Sequence, residues 1–78
     1  MTLAELKKNK EATITDYNRG QHEINVIPRL IEMGLVKGAK IKIIHSAPIN
    51  RDPIAVEVKG AIIALGKNEA DQIIVEEV

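Results

Sequence analysis

Apolar and polar residues alternate along five short segments of this chain, as they do in strands that bury one face. The segment from Ile54 to Val58 is the clearest, because Ala55 and Glu57 separate its large apolar residues. The five predicted strands run from Lys10 to Tyr17, Lys40 to Ser46, Ile54 to Val58, Ala61 to Leu65 and Ile73 to Glu77. The positions expected to face the interior are Ile41, Ile43, Ile54, Val56, Val58, Ile73 and Val75. The positions that the same alternation turns outward are Ile44, Ile62 and Ile74.

A helical spacing of apolar residues follows the first strand. The residues that fall on one side of a helical wheel are Ile24, Val26, Ile27, Leu30, Ile31 and Met33. Pro28 interrupts this stretch, and proline is tolerated only in the first turn of a helix. We therefore expect the regular helix to begin near Asn25, with Asn25 as its N-cap. His22 and Glu23 would then belong to a loop or to an irregular lead-in.

Glycines mark the sharpest predicted turns. Gly34 follows the helix at the position where a residue with positive φ ends it, and glycine lacks the Cβ that makes this conformation costly. Leu35 can then fold back onto the last helical turn, and Gly38 suits a positive-φ position in the next turn. Lys59 and Gly60 separate two predicted strands by two residues, which is the spacing of a tight hairpin.

Two further helical turns are predicted from their caps. Thr2 and Glu5 have the spacing of a capping box, and Asn68 is expected to cap one turn over residues 68–71. The chain is therefore expected to be mostly β, with about five strands and one longer helix. Because the strands lack the spacing of parallel βαβ units, they favour a small antiparallel barrel, closed or nearly closed. We expect residues 1–78 to form a single domain.

The composition narrows the classes of partner and compartment. The chain has no cysteine and one aromatic residue, Tyr17, and its 11 basic residues balance its 11 acidic residues. Zero net charge and a lack of stacking aromatics argue against nucleic acid as a partner. Because no apolar run approaches about 20 residues, we expect no direct membrane insertion. The absence of cysteine is compatible with a reducing compartment, and we expect a cytoplasmic protein.

Candidate catalytic and metal-binding groups are sparse. Ser46 is the only serine, and the adjacent His45 is expected on the opposite face of its strand, so the two are splayed apart. His22, Glu23 and His45 lack the spacing that gathers three or four metal ligands on one element. We therefore expect no enzyme and assign no metal ligand. A weak site for ferrous iron or another divalent transition metal at His22 and Glu23, or one shared across an oligomer, stays open.

The turn after the helix also carries a family resemblance. The run from Leu30 to Ile41, with Glu32-Met33-Gly34-Leu35 followed by Gly38, resembles the core signature of the ferrous-iron transport protein A (FeoA) family. Segments that agree in order over essentially the whole chain are Thr2–Leu6, Glu11–Ile14, Arg19-Gly20, Asp52–Gly60, Ile63–Leu65 and Glu69–Val75. Gly66-Lys67 departs from the family, which often has a basic pair there. The resemblance implies an SH3-like barrel with its helix between strands 1 and 2, in a family classed as binding transition metals.

The resemblance also implies a partner, a FeoB-type ferrous-iron transporter that the chain would bind and modulate from the cytosolic side. The residues expected to contact it are Met33, Leu35, Val36 and Lys37. The glycines expected to shape the turns are Gly34, Gly38 and Gly60. Three alternatives stay open: a ferrous-iron carrier or sensor, an interaction module of an iron-dependent regulator, and self-association by pairing of strand edges.

Overall fold

Five strands form one antiparallel sheet in the computed structural model, which describes residues 1–18 and 26–78. In chain order, the elements are a one-turn 3-10 helix (Leu3–Glu5), β1 (Glu11–Tyr17), α1 (Ile27–Glu32), β2 (Lys40–Ser46), β3 (Ile54–Val58), β4 (Ala61–Leu65), α2 (Lys67–Ala70) and β5 (Ile73–Glu77). The predicted bounds of β2 to β5 are confirmed, and β1 begins one residue later than predicted. Within the described ranges, no helix is long and apolar enough to cross a membrane.

The strands pair in the order β4-β3-β2-β1-β5, with α1 connecting β1 to β2 as predicted. This sheet places every residue of the predicted inward-facing set in the core. The other large side chains that are fully buried with them include Leu3, Leu6, Ile14, Ile27, Leu30, Leu35 and Leu65. Burial of each such side chain contributes about 1.5–3 kcal/mol. The core is therefore built from aliphatic side chains on one face of the sheet, on α1 and on the 3-10 turn.

Two β-bulges interrupt the alternation that the sequence suggested. Ile43 pairs with Val56 and His45 pairs with Ala55, so Ile44 is the extra residue in β2. The bulge moves His45 out of the alternation set by Ile41 and Ile43, and its side chain is exposed. Thr15 is the corresponding extra residue in β1. Of the three isoleucines predicted to face outward, Ile62 is exposed, whereas Ile44 and Ile74 are half-buried.

The helix α1 is shorter than its apolar pattern suggested. It begins at Ile27, with Val26 at the N-cap and Pro28 in the first turn, as expected for proline. The predicted N-cap at Asn25 was wrong, because Val26 occupies that position. Asn25 itself and the predicted lead-in at His22 and Glu23 lie outside the described residues.

Caps explain the two remaining helical turns. The predicted capping box is confirmed at the first turn, where the Thr2 N–H donates to Glu5 Oε1 over 2.8 Å. At α2 the predicted cap was wrong, because Asn68 lies inside the helix and Gly66 is the N-cap. Glu69 Oε1 accepts the Gly66 N–H over 2.8 Å, and Asp52 supplies a second acceptor for the Lys67 N–H over 3.1 Å. A carboxylate within the helix, Glu69, and one from the β2–β3 loop, Asp52, thus replace the cap that Asn68 was expected to provide.

Candidate docking site

The turn between α1 and β2 ends the helix by a left-handed glycine. Gly34 has a φ of +100°, which only glycine adopts without strain, and Gly38 follows with a φ of +88°. The Leu35 N–H returns to the Leu30 carbonyl over 3.0 Å, so the chain folds back across the last helical turn. The Leu35 side chain is fully buried as a result.

Residues of strand β1 form hydrogen bonds with this turn. The Tyr17 hydroxyl donates to the Leu35 carbonyl over 2.8 Å in a buried hydrogen bond. The Gly38 N–H donates to the Ile14 carbonyl over 2.8 Å, and the Ile14 N–H donates to the Ala39 carbonyl over 2.9 Å. Hydrogen bonds therefore fix the backbone of the turn at several points, and its exposed side chains are attached to an ordered backbone.

Three apolar side chains remain accessible to solvent at the end of α1 and in the turn that follows it. Ile31 is 39% exposed and Met33 is 37% exposed, although both fall on the apolar side of the helical wheel. Val36 is half-buried, and the adjacent Lys37 is exposed. We call Ile31, Met33, Val36 and Lys37 the docking turn. Exposed apolar side chains that lie together, with a polar residue at their rim, form the kind of surface that a protein partner can cover.

The structure corrects one of the predicted contact residues and adds another. Leu35 was predicted to touch a partner, but its side chain lies in the core and can support the surface only from inside. Ile31 was not included in the predicted contact region, yet it is exposed beside Met33. The signal that could have found Ile31 is the small size of the helix, because a six-residue helix buries only a narrow face.

The charged groups around the docking turn form weak, solvent-exposed contacts. Lys37 Nζ lies 3.5 Å from Asp16 Oδ1 and 5.9 Å from the centre of the Tyr17 ring. Both side chains of the ion pair are more than half exposed, so the pair contributes about 0–1 kcal/mol. The stem of Lys59, from the β3–β4 turn, passes beside Gly34, 3.8 Å from where a Cβ would stand. A partner with carboxylates near this turn would therefore meet accessible cations.

No convergent set of metal ligands is found in the described parts of the chain. Residues 1–18 and 26–78 contain no group of three or more His, Asp or Glu side chains that could hold a metal ion. His45 is exposed on the bulged strand β2, and His22 and Glu23 lie outside the described residues. The predicted turn glycines Gly34 and Gly38 both have positive φ, as expected.

Comparison with known proteins gives this arrangement a context. The family model of the FeoA domain matches residues 1–77. A protein of Methanocaldococcus jannaschii, provisionally named Fe(2+) transport protein A, is 31% identical over 96% of this chain and 84% of its own length.

Solved structures agree with the fold. A FeoA-like protein from Clostridium acetobutylicum has a TM-score of 0.86 and 31% identity, covering 100% of this chain and 86% of that one. The zinc complex of Stenotrophomonas maltophilia FeoA, described as an SH3 domain protein and a candidate activating factor of ferrous iron transport, has a TM-score of 0.84. It is 29% identical and covers 97% of this chain and 89% of that one. The predicted SH3-like barrel is thereby confirmed.

Proposed function

This chain belongs to the FeoA family, which is implicated in ferrous iron transport, and we propose that it acts by docking on the cytosolic side of a FeoB-type transporter. In this proposal the docking turn is the contact surface, and binding modulates the uptake of iron by the transporter. In this proposal ferrous iron is the cargo of the transporter, and the chain acts by contact with the transporter.

The observation that carries the proposal is the exposure of apolar side chains on a fixed backbone. Met33 and Ile31 are accessible, while the turn that presents them is held by the Tyr17 hydroxyl and by backbone hydrogen bonds. A partner that covers these side chains would remove apolar surface from water without having to order the turn first. Pre-organisation of this kind favours binding, because little conformational entropy is lost on association.

Two further observations support a role by contact. The described residues offer no set of convergent metal ligands, which is the arrangement that a ferrous-iron carrier needs. The relatives compared above are named for iron transport or its activation. An accessory protein that binds the transporter accounts for both observations with the surface that the fold presents.

The proposal is tested by equilibrium binding of this chain to the full-length FeoB-type transporter of the same organism, reconstituted in lipid nanodiscs. The variant is Met33→Asp, which places a carboxylate at the centre of the docking turn. We expect its dissociation constant to rise at least tenfold, a loss of about 1.4 kcal/mol of binding free energy. Empty nanodiscs are expected to bind neither protein.

The matched control is Ile49→Asp, which makes the same change at an isoleucine that is 78% exposed in the β2–β3 loop. We expect this variant to bind as the unmodified chain does. Amide spectra of both variants must show the native fold. If the unmodified chain does not bind above empty nanodiscs, or if Ile49→Asp weakens binding while Met33→Asp does not, the proposal is wrong.

A further inference from the structure

The edge strand β4 is apolar and largely exposed. Its sequence, Ala-Ile-Ile-Ala-Leu, contains no charged residue and no proline. Ile62 is 65% exposed, Ala61 and Ala64 are exposed as well, and Leu65 is buried. Natural edge strands are usually protected from pairing with other chains by charges, prolines or bulges, and β4 has none of these within its length.

The backbone of β4 presents hydrogen-bonding groups along its free side. Lys59 and Gly60 have φ values of +52° and +80°, as in a type I′ hairpin turn, with Val58 opposite Ala61. In an antiparallel pair, hydrogen-bonded and non-hydrogen-bonded positions alternate. Ala61, Ile63 and Leu65 therefore bond to β3, and the N–H and C=O groups of Ile62 and Ala64 point away from it. In residues 1–18 and 26–78, no strand pairs with this side of β4.

The other end of the sheet is protected. Thr2 forms an isolated bridge with Ile74 on β5, and the Val75 N–H donates to the Met1 carbonyl over 2.9 Å. β5 also ends in Glu76 and Glu77, both exposed. The N-terminal residues and two carboxylates thus cover one end of the sheet, whereas β4 has neither form of protection. This difference directs strand pairing to β4.

Charge indicates what kind of strand fits there. Lys59 precedes β4 and Lys67 follows it, and both are exposed. Within the described residues, neither lysine forms an ion pair with a carboxylate. Near Lys67, Glu69 already binds Arg29 and the Gly66 N–H, and Asp52 accepts the Lys67 N–H. A second copy of the chain paired antiparallel about Ile63 would bring Lys59 opposite Lys67, which is unfavourable for like charges.

We propose that β4 binds an extended segment of another protein, with apolar residues in its middle and a carboxylate at each end. The segment adds a sixth strand to the sheet by hydrogen bonds to Ile62 and Ala64, and its carboxylates lie near Lys59 and Lys67. The exposed side chain of Ile62 packs against the apolar residues of the segment. This surface differs from the docking turn, although the stem of Lys59 passes beside Gly34, and its occupation does not depend on the transporter.

The test is a titration of the full isotope-labelled chain with the synthetic peptide acetyl-Glu-Thr-Val-Thr-Val-Thr-Glu-amide, whose valines lie opposite Ile62 and Ala64 when its centre pairs with Ile63. Amide shifts and slowed hydrogen exchange are expected at Ile62 and Ala64, with little change at the docking turn. The same peptide N-methylated at its three central residues keeps its side chains and charges but cannot extend the sheet, and we expect it to bind at least tenfold more weakly. Equal binding of the two peptides would overturn the proposal.

The charge requirement is tested with the double variant Lys59→Glu, Lys67→Glu. Its affinity for the peptide is expected to fall at least tenfold. The matched control is Lys7→Glu, Lys8→Glu, two exposed lysines outside β4 and its flanks, for which a change of less than twofold is expected. Equal losses in both double variants, perturbations away from β4, or concentration-dependent shifts at Ile62 and Ala64 without peptide would each contradict the proposal. The last result would assign β4 to self-association.

Discussion

At the scale of single residues, Tyr17 links the core to the docking turn. It is the one aromatic residue of the chain, and its side chain is 9% exposed. Its hydroxyl donates to the Leu35 carbonyl over 2.8 Å, at the point where the chain reverses after α1. A buried carbonyl that loses its hydrogen-bond donor lowers the stability of the fold by about 1–3 kcal/mol. We therefore expect this one hydroxyl to affect both stability and the geometry of the turn.

We therefore predict that Tyr17→Phe lowers the free energy of unfolding by about 1–3 kcal/mol, measured by urea denaturation. The ring and its packing are retained, so the loss reports on the hydroxyl. The control is Thr15→Val, which removes an exposed hydroxyl that donates to the Ile74 carbonyl over 3.4 Å. Because water can replace that donor, we expect the free energy of unfolding to change by no more than about 0.5 kcal/mol. Unchanged stability in Tyr17→Phe would show that the hydrogen bond does not hold the turn.

At the scale of elements, the 3-10 turn gains stability from an ionised carboxylate. The hydrogen bond from the Thr2 N–H lowers the pKa of Glu5 below its ordinary value of 4.5. Because the folded pKa is depressed, Glu5 contributes its full stabilisation above the unfolded pKa. That contribution is lost as the pH falls through the folded pKa. The cap at the start of the chain is thus expected to weaken in acid.

We predict that the Glu5 carboxyl carbon, followed by NMR, titrates in the folded chain with a midpoint below 4.5. In the urea-unfolded chain the midpoint is expected to return to the ordinary range. Glu5→Gln, which cannot ionise, should lose less stability than the unmodified chain between pH 6 and pH 3. A folded midpoint at or above the unfolded one would contradict this reading of the cap.

Elements set by local patterns could be predicted from the sequence, and those set by distant contacts could not. The bounds of β2 to β5 followed from alternation, and Gly34, Gly38 and Gly60 have the positive φ expected of them. The bulge at Ile44 carries no local signal, because register depends on the partner strand. The cap of α2 was misplaced since Asp52, 15 residues away, supplies an acceptor. Burial of Leu35 against the core was likewise a tertiary effect.

At the scale of the whole molecule, the sheet leaves two different surfaces available. The docking turn presents Met33 and Ile31 on a fixed backbone, and β4 presents an unpaired strand with flanking lysines. We propose that the first surface contacts a folded partner and that the second pairs with an extended segment. On these two proposals, the domain contacts a transporter and a second protein through different residues, with Lys59 adjoining both surfaces.

The most direct measurement is an amide NMR titration of the labelled chain with the cytosolic domain of the FeoB-type transporter from the same organism. The account predicts perturbations centred on Ile31, Met33, Val36 and Lys37, with β4 little affected. A flat response at high partner concentration, or perturbations confined to residues outside the docking turn, would contradict it.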